Sequence, residues 1–324
     1  MADPLVSVKM ITYNHGPYIG RAIECVLAQK TNFRFELVIG EDCSTDETRR
    51  IVASYAARFP DKIILITSEK NVGLHENIRR TDVACRGKYL AYCEGDDYWQ
   101  RDDKLQMQVD YLERHPECSM VCSDYDEYDT KTKKRTRNYR SSTGQPVLTN
   151  PDIFDILSGK ADVLTCTVLL RRETIRKVKE ADPFLHQSGH FRMGDTQAWA
   201  EMSLWGKIHV FSESLATRQL LPESATQSSD PRKRLRFWIS NSEMCIYLCE
   251  KHQIDAALKN AHFQNWTKNS LKLAFLEKSC ELADKTKKKS PEFSFKNNLW
   301  YWGTKHSTMR PFILLHQLFF QDIR

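Results

Sequence analysis

The stretch Glu94-Gly95-Asp96-Asp97-Tyr98-Trp99 puts two adjacent carboxylates directly after an apolar run, Lys88-Tyr89-Leu90-Ala91-Tyr92-Cys93, that reads as a buried strand. In an open α/β sheet, the carboxyl ends of the strands are where ligands bind. A carboxylate there is a good oxygen donor for a hard divalent cation, Mg²⁺ or Mn²⁺, carrying a diphosphate. A lone Gly-Asp-Asp is more simply a solvated acidic turn, so the reading depends on its company. The first companion is Glu41-Asp42-Cys43-Ser44-Thr45-Asp46, which follows a second apolar run, Phe35 to Ile39. Ser44 and Asp46 suit the capping of a following helix. Asp42 is then free to accept hydrogen bonds from a base or a ribose.

Both acidic sites need a framework that brings them to one edge, and the first half of the chain supplies it. Strand signals at Leu5 to Ile11, Phe35 to Ile39, Ile63 to Ile66 and Lys88 to Cys93 alternate with helical ones. Tyr18 to Gln29 carries Ile19, Ala22, Ile23, Val26 and Leu27 at helical spacing, a second helix runs to Arg58, and Glu76 to Cys85 forms a third. This βαβαβαβ order predicts a parallel sheet covered by helices. Asp102 to Arg114 continues as a helix and Cys118 to Ser123 as a further strand. After the first strand stands Thr12-Tyr13-Asn14-His15-Gly16, neither a G-x-G-x-x-G loop nor a Walker sequence, which disfavours dinucleotide and P-loop chemistry.

Composition narrows the class further. A chain of 324 residues with 41% hydrophobic content can hold one large domain, or one domain and an extension. No apolar run reaches the roughly 18 residues of a membrane span, and Met1-Ala2-Asp3-Pro4 lacks the form of a secretion signal, so the expected location is the cytoplasm. The 10 cysteines follow no frame and several sit in apolar runs, which favours reduced, buried thiols. The pairs Cys118/Cys122 and Cys245/Cys249 lack further ligands at zinc-site spacing.

The net charge of +6 is uneven, with basic runs at Lys131 to Arg140, Arg232 to Arg236 and Lys285 to Lys289. The first reads as the solvated tip of a hairpin. The other two precede the apolar stretch Pro311 to Phe320, and this combination suits a peripheral contact with an anionic membrane surface. A packed terminal helix or a contact in a homo-oligomer accounts for the apolar stretch equally well. No basic-aromatic motif for nucleic acid accompanies the charge.

Five segments in this order carry a family resemblance: Val6-Ser7-Val8 through Thr12-Tyr13-Asn14, Glu41-Asp42-x-Ser44-Thr45-Asp46-x-Thr48, Asn71-x-Gly73, Gly87-Lys88-Tyr89, and Gly95-Asp96-Asp97 as a variant D-x-D motif. Together they resemble the family 2 glycosyltransferases of GT-A fold, strongly over about the first 125 residues and more weakly to about residue 228. The resemblance implies an α/β architecture, a Rossmann-like mixed and mainly parallel sheet flanked by helices, over residues 1–228. Within it, residues 1–125 would bind the nucleotide sugar and 126–228 would form the acceptor side and carry the base. Residues 229–324 match nothing in that core and read as a helical C-terminal extension.

The family implies inverting transfer of a sugar from a nucleotide diphosphate sugar, usually a UDP-sugar, to an acceptor hydroxyl. Position by position, Tyr13 and Asp42 would hold the nucleobase, and Asn77 and Arg80 would reach the ribose or diphosphate. Asp96 would lie beside the ribose and donor sugar, and Asp97 would coordinate the divalent cation. Asp195, in Phe191-Arg192-Met193-Gly194-Asp195-Thr196, would be the catalytic base. A plain helix N-cap is the alternative for Asp195, but Gly206 to Val210 and Ser214 to Arg218 resemble the strand pair that follows the base in this family. Many members complete the metal shell with a His in that second strand; Thr217 to Gln227 contains none, which leaves the cation to Asp97, the diphosphate and water.

Trp99, the Lys104 helix and Asp162 to Leu170 are expected along the acceptor side, with Trp99 alternatively a core aromatic. The implied acceptor is a glycan, in particular a lipid-linked one in bacterial surface polysaccharide synthesis at the inner membrane face. A non-catalytic nucleotide-sugar-binding protein would not need Asp97 and Asp195 together. A nucleotidyltransferase would carry a Gly-rich, Lys/Arg-bearing loop where Thr12 to Gly16 stands.

Overall fold

In the computed structural model, which describes residues 3–221 and 228–311, β1 (Val6–Thr12) is buried almost throughout and is therefore paired on both sides. It runs parallel to β2 (Phe35–Glu41), which continues to β3 (Ile63–Ile66), and parallel to β4 (Tyr89–Tyr92) on its other flank. Strands covered on both faces read as continuous apolar runs, as these do. The charged exceptions are Lys9 in β1, paired with Asp82 at 2.6 Å, and two carboxylates in β2: Glu36 accepts from Ser7 Oγ at 2.6 Å and from the Arg86 guanidinium, and Glu41 from Arg49 Nε at 2.6 Å. Beyond β4 come β5 (Tyr98–Trp99), β6 (Cys118–Asp129), β7 (Arg135–Thr136), β8 (Leu169–Arg171) and β9 (Lys207–Leu220). The sheet order is β3-β2-β1-β4-β8-β6-β9-β5, with β7 paired to β6. The β4–β8, β8–β6 and β9–β5 pairings are antiparallel, and β6–β9 is parallel.

Four helices cross between the early strands: α1 (Ile19–Leu27), α2 (Thr48–Arg58), α3 (Leu74–Ala84) and α4 (Lys104–Arg114). Ile19, Ala22, Ile23 and Val26 form the buried stripe of α1, at the spacing expected for a helix packed on a sheet. The short helices α5 (Tyr139–Ser142), α6 (Ile153–Leu157), α7 (Arg172–Ala181) and α8 (Pro183–Gln187) lead to α9 (Thr196–Trp205). All 10 cysteines are free thiols.

Two expectations are corrected here. Trp99 is 4% exposed and belongs to the core: its indole N–H donates to the Cys166 carbonyl at 2.8 Å, and Lys104 Nζ lies 4.3 Å from its ring. It therefore lines no acceptor surface. Lys104 is fully buried as well, hydrogen-bonded to Gln108 at 2.7 Å, and burial pulls its ammonium down to about 8. The basic run at Lys131 to Arg140 does turn a β6–β7 hairpin, but its last member is not solvated. Arg140 is 3% exposed and donates to the carbonyls of Pro146, Lys160 and Asp162.

The described residues divide into two compact units, 3–190 with 194–221 and 191–193 with 228–311. The second contains α10 (Pro231–Lys251), α11 (Ala256–Glu277), α12 (Cys280–Lys289) and α13 (Phe295–Lys305). Leu271, Phe275 and Trp300 form a core cluster of this unit. The helical pattern from Ala256 to Leu282 is broken where Lys278 takes a left-handed φ of 57°, and Ser279 caps the new helix by accepting the Leu282 N–H at 3.1 Å. Of the apolar stretch Pro311 to Phe320, all but Pro311 lies outside the described residues.

Candidate active site

Two loops at the carboxyl edge of the sheet are stitched together. Asn14 sits at φ 56° and offers its amide oxygen to the Thr45 N–H at 2.9 Å, while its own N–H donates to Ser44 Oγ at 3.0 Å. His15 N–H donates to Thr48 Oγ1 at 2.8 Å, and Gly16 N–H to Asp46 Oδ2 at 2.9 Å. Asp46 also receives the Thr48 N–H at 2.9 Å and so helps start α2. Ser44 does not cap that helix; it braces the neighbouring loop. The stitching leaves Tyr13 projecting, 43% exposed, at the end of β1.

At the end of β2, Asp42 is buried and already engaged. Its carboxylate accepts the N–H groups of Val72 at 2.8 Å and Gly73 at 3.0 Å, and Arg80 lies 3.7 Å away. Gly73 has a φ of 84°, a conformation glycine adopts without strain, at the N-terminus of α3. Asn77, expected to reach a ligand, is 3% exposed instead. Its amide donates to the Gly40 carbonyl at 2.9 Å and accepts from Arg80 Nε at 2.9 Å. Arg80 also donates to the Glu41 carbonyl at 2.6 Å, so Asn77 and Arg80 fasten α3 to the strand end that carries Asp42.

The acidic motif itself lies between β4 and β5. Asp97 is 8% exposed, and its Oδ1 accepts the Gln219 N–H at 2.9 Å; the Gln219 side chain reaches the Asp96 carbonyl. This contact follows from the β5–β9 pairing of Tyr98 with Thr217. Burial, then the charges of Asp96 and Glu94, push the Asp97 carboxyl well above its ordinary range. Burial and the Asp96 charge likewise raise Glu94 to about 7, with Asp195 contributing to the shift. Glu94 Oε2, Thr12 Oγ1 and His15 Nδ1 are buried without a hydrogen-bond partner. A Cβ on Gly95 would meet Thr12 Oγ1 at 2.6 Å and His15 Nδ1 at 2.9 Å, so only glycine fits there without displacement.

Asp195 stands exposed as the N-cap of α9, accepting the Thr196 N–H at 2.6 Å and the Thr165 hydroxyl at 3.2 Å. Its partner Thr165 adjoins Cys166, whose carbonyl takes the indole N–H of Trp99 two residues after Asp97, and this sets Asp195 at the same edge as the acidic motif. Tyr13, Asp42, Asp96, Asp97 and Asp195 are thus all at the carboxyl side of the sheet, whereas Trp99 is interior and Asn77 is a buried brace. Sequence reading gave no role to Glu94, His15 or Gln219. Only the first had a signal, its place beside the acidic pair. His209, on β9, is half-buried and stacked on Tyr111 at 3.9 Å.

Among the described residues, no three His, Cys, Asp or Glu side chains form a ready-made metal cage. A Mg²⁺-like ion needs none, since it is commonly held by one or two carboxylates together with substrate phosphates and water. Crowded carboxylates that raise one another's proton affinity, one oxygen of them orphaned, fit a cation arriving with a diphosphate.

A family profile described as Glycosyl transferase family 2 matches residues 7–199. An uncharacterized protein of Mycobacterium tuberculosis is 47% identical over 117 residues, covering 36% of this chain and 34% of that relative, so the chain spans about a third of that curated relative's length. Among solved structures, S. aureus TarS 1-349 in complex with UDP-GlcNAc superposes with a TM-score of 0.59 at 17% identity, over 98% of this chain and 91% of that one. Mannosyltransferase PcManGT from Pyrobaculum calidifontis, in complex with GDP-Man and Mn²⁺, gives 0.55 at 15% identity, over 99% and 88%. At these identities the likeness is one of fold, and that fold is GT-A.

Proposed function

Because this chain belongs to glycosyl transferase family 2, we propose that it transfers a sugar, with inversion, from a UDP-sugar to the hydroxyl of a glycan acceptor. The observation that carries this reading is the convergence of Tyr13, Asp42, Asp96 and Asp97 on one sheet edge with Asp195 at the start of α9. Tyr13 stacks on the base, and Asp42, held in place by α3, lies beside it. Asp96 meets the ribose and donor sugar. Asp97 holds a divalent cation, Mn²⁺ or Mg²⁺, which supplies charge neutralisation for the departing diphosphate. Asp195 takes the proton of the attacking hydroxyl on the opposite face of the sugar.

The acceptor in this reading is lipid-linked, in bacterial surface polysaccharide synthesis, met by a cytoplasmic protein at the inner membrane face. Residues 222–324 support it: 17 Lys and Arg against 10 Asp and Glu give this segment +7, more than the net charge of the whole chain. Phe295 and Trp302, two turns apart on α13, are 74% and 47% exposed. No helix among the described residues is long and apolar enough to cross a membrane. Basic charge beside exposed aromatics is the pattern of a surface contact with anionic lipid.

Thermal shift and hydrolysis across a panel of UDP-, GDP- and dTDP-sugars test the donor reading. A UDP-sugar should raise the midpoint and be hydrolysed with Mn²⁺ but not with EDTA; no response to any sugar overturns it. In the same preparation, sedimentation with anionic but not neutral vesicles is expected, and equal recovery with both overturns the membrane contact.

A further inference from the structure

His15 is held more tightly than a loop residue needs to be. Its N–H donates to Thr48 Oγ1 at 2.8 Å, and its carbonyl accepts from the N–H groups of Tyr18 at 2.8 Å and Ile19 at 2.9 Å. The imidazole is packed against the main chain of the acidic motif, where the missing Cβ of Gly95 leaves its space. Its Nδ1 is buried without a hydrogen-bond partner and lies 3.8 Å from Asp96 Oδ1, both side chains being about one-fifth exposed (21% and 23%). That separation is too long for a hydrogen bond. Among the described residues, His15 is the basic side chain that faces the Asp96 carboxylate, whose main-chain carbonyl is pinned separately by Gln219. A buried polar nitrogen with no partner is costly, and a carboxylate with no donor is free to turn.

We propose that His15 is a positioning residue of the donor site: on nucleotide binding its Nδ1–H closes to hydrogen-bond distance on Asp96 and aims that carboxylate at the ribose hydroxyls. This rests on the reading of Asp96 as a donor-binding residue. The role belongs to one nitrogen, which makes it separable from packing. In His15→Asn the side-chain amide nitrogen occupies nearly the place of Nδ1. In His15→Phe the ring volume stays and the donor is lost.

Binding of UDP in the presence of Mn²⁺, measured by calorimetry on the full chain, is the test. His15→Phe should bind about ten-fold more weakly, the worth of one hydrogen bond to a charged group, and His15→Asn within about three-fold of the parent. In an Asp96→Asn background, His15→Phe should add less than about two-fold, because the group through which it acts is already altered. Parental affinity in His15→Phe overturns the inference. So does equal weakening in both His15 variants, which would mean shape alone matters, or a ten-fold loss that persists with Asp96→Asn. Should the Phe variant not fold, His15→Leu takes its place with the same expectations. A parent chain that binds no UDP overturns the donor reading itself and this inference with it, whereas a parent that binds UDP as well as its Phe variant does overturns this inference alone.

Discussion

Asp97→Asn is expected to lose the Mn²⁺-dependent stabilisation by UDP and to lower transfer by about 10²–10³-fold, the scale seen when an electrostatic stabiliser of a transition state is removed. The Asn side chain keeps an oxygen for the Gln219 N–H, so the contact that joins β5 to β9 survives. What disappears is the charge. Without nucleotide, the variant should be at least as stable as the parent, and the sign follows from the raised proton affinity of Asp97. A carboxyl held above its unfolded value contributes its stability only at low pH and loses it as pH rises, so at neutral pH the folded state bears the cost of an ionised buried group, or of keeping it protonated. Replacement by a neutral amide removes that cost. The measurement is the thermal midpoint of both proteins with UDP and Mn²⁺, with UDP and EDTA, and alone. Equal ligand shifts in parent and variant would return Asp97 to a structural role.

Asp195→Asn should separate binding from chemistry. Asp195 is exposed and lies at the start of α9, and Asn is nearly as good an N-cap as Asp, so folding should be preserved. UDP and Mn²⁺ should bind as in the parent, since neither is assigned to this residue. Transfer to acceptor should fall by ~10²–10⁴-fold because nothing accepts the hydroxyl proton. Single-turnover transfer and UDP calorimetry on the same preparation distinguish the outcomes. Near-parental transfer would reduce Asp195 to a helix cap; loss of UDP binding in a folded variant would move it into the donor site.

The two substitutions differ because the two carboxylates differ in surroundings, and this was only partly readable from the chain. The strand and helix alternation from Val6 to Arg114 was readable, since it depends on residues three and four apart or two apart along the chain. So was the placing of Asp42 and Asp96-Asp97 at strand ends, because each follows an apolar run directly. The roles of Asn77 and Trp99 were not. Asn77 is neutral in any helical pattern until Gly40, 37 residues earlier, presents a carbonyl to it. Trp99 follows an acidic turn and reads equally as an acceptor-side or a core aromatic, and the partner that decides it, Cys166, is 67 residues away.

The acidic motif gives the same lesson at longer range. That three carboxylates stand in a row is written in Glu94-Gly95-Asp96-Asp97. That Asp97 is buried against Gln219, 122 residues on, depends on β9 running beside both β6 and β5. That His15 faces Asp96 depends on β1 and β4 being parallel neighbours, which carries the ends of both strands to one edge. Periodicity and strand-end chemistry are local properties, and the sequence determined them by itself. Burial, proton affinity and the choice of partner are set by whichever distant segment excludes water from a side chain, and only the tertiary structure decided that.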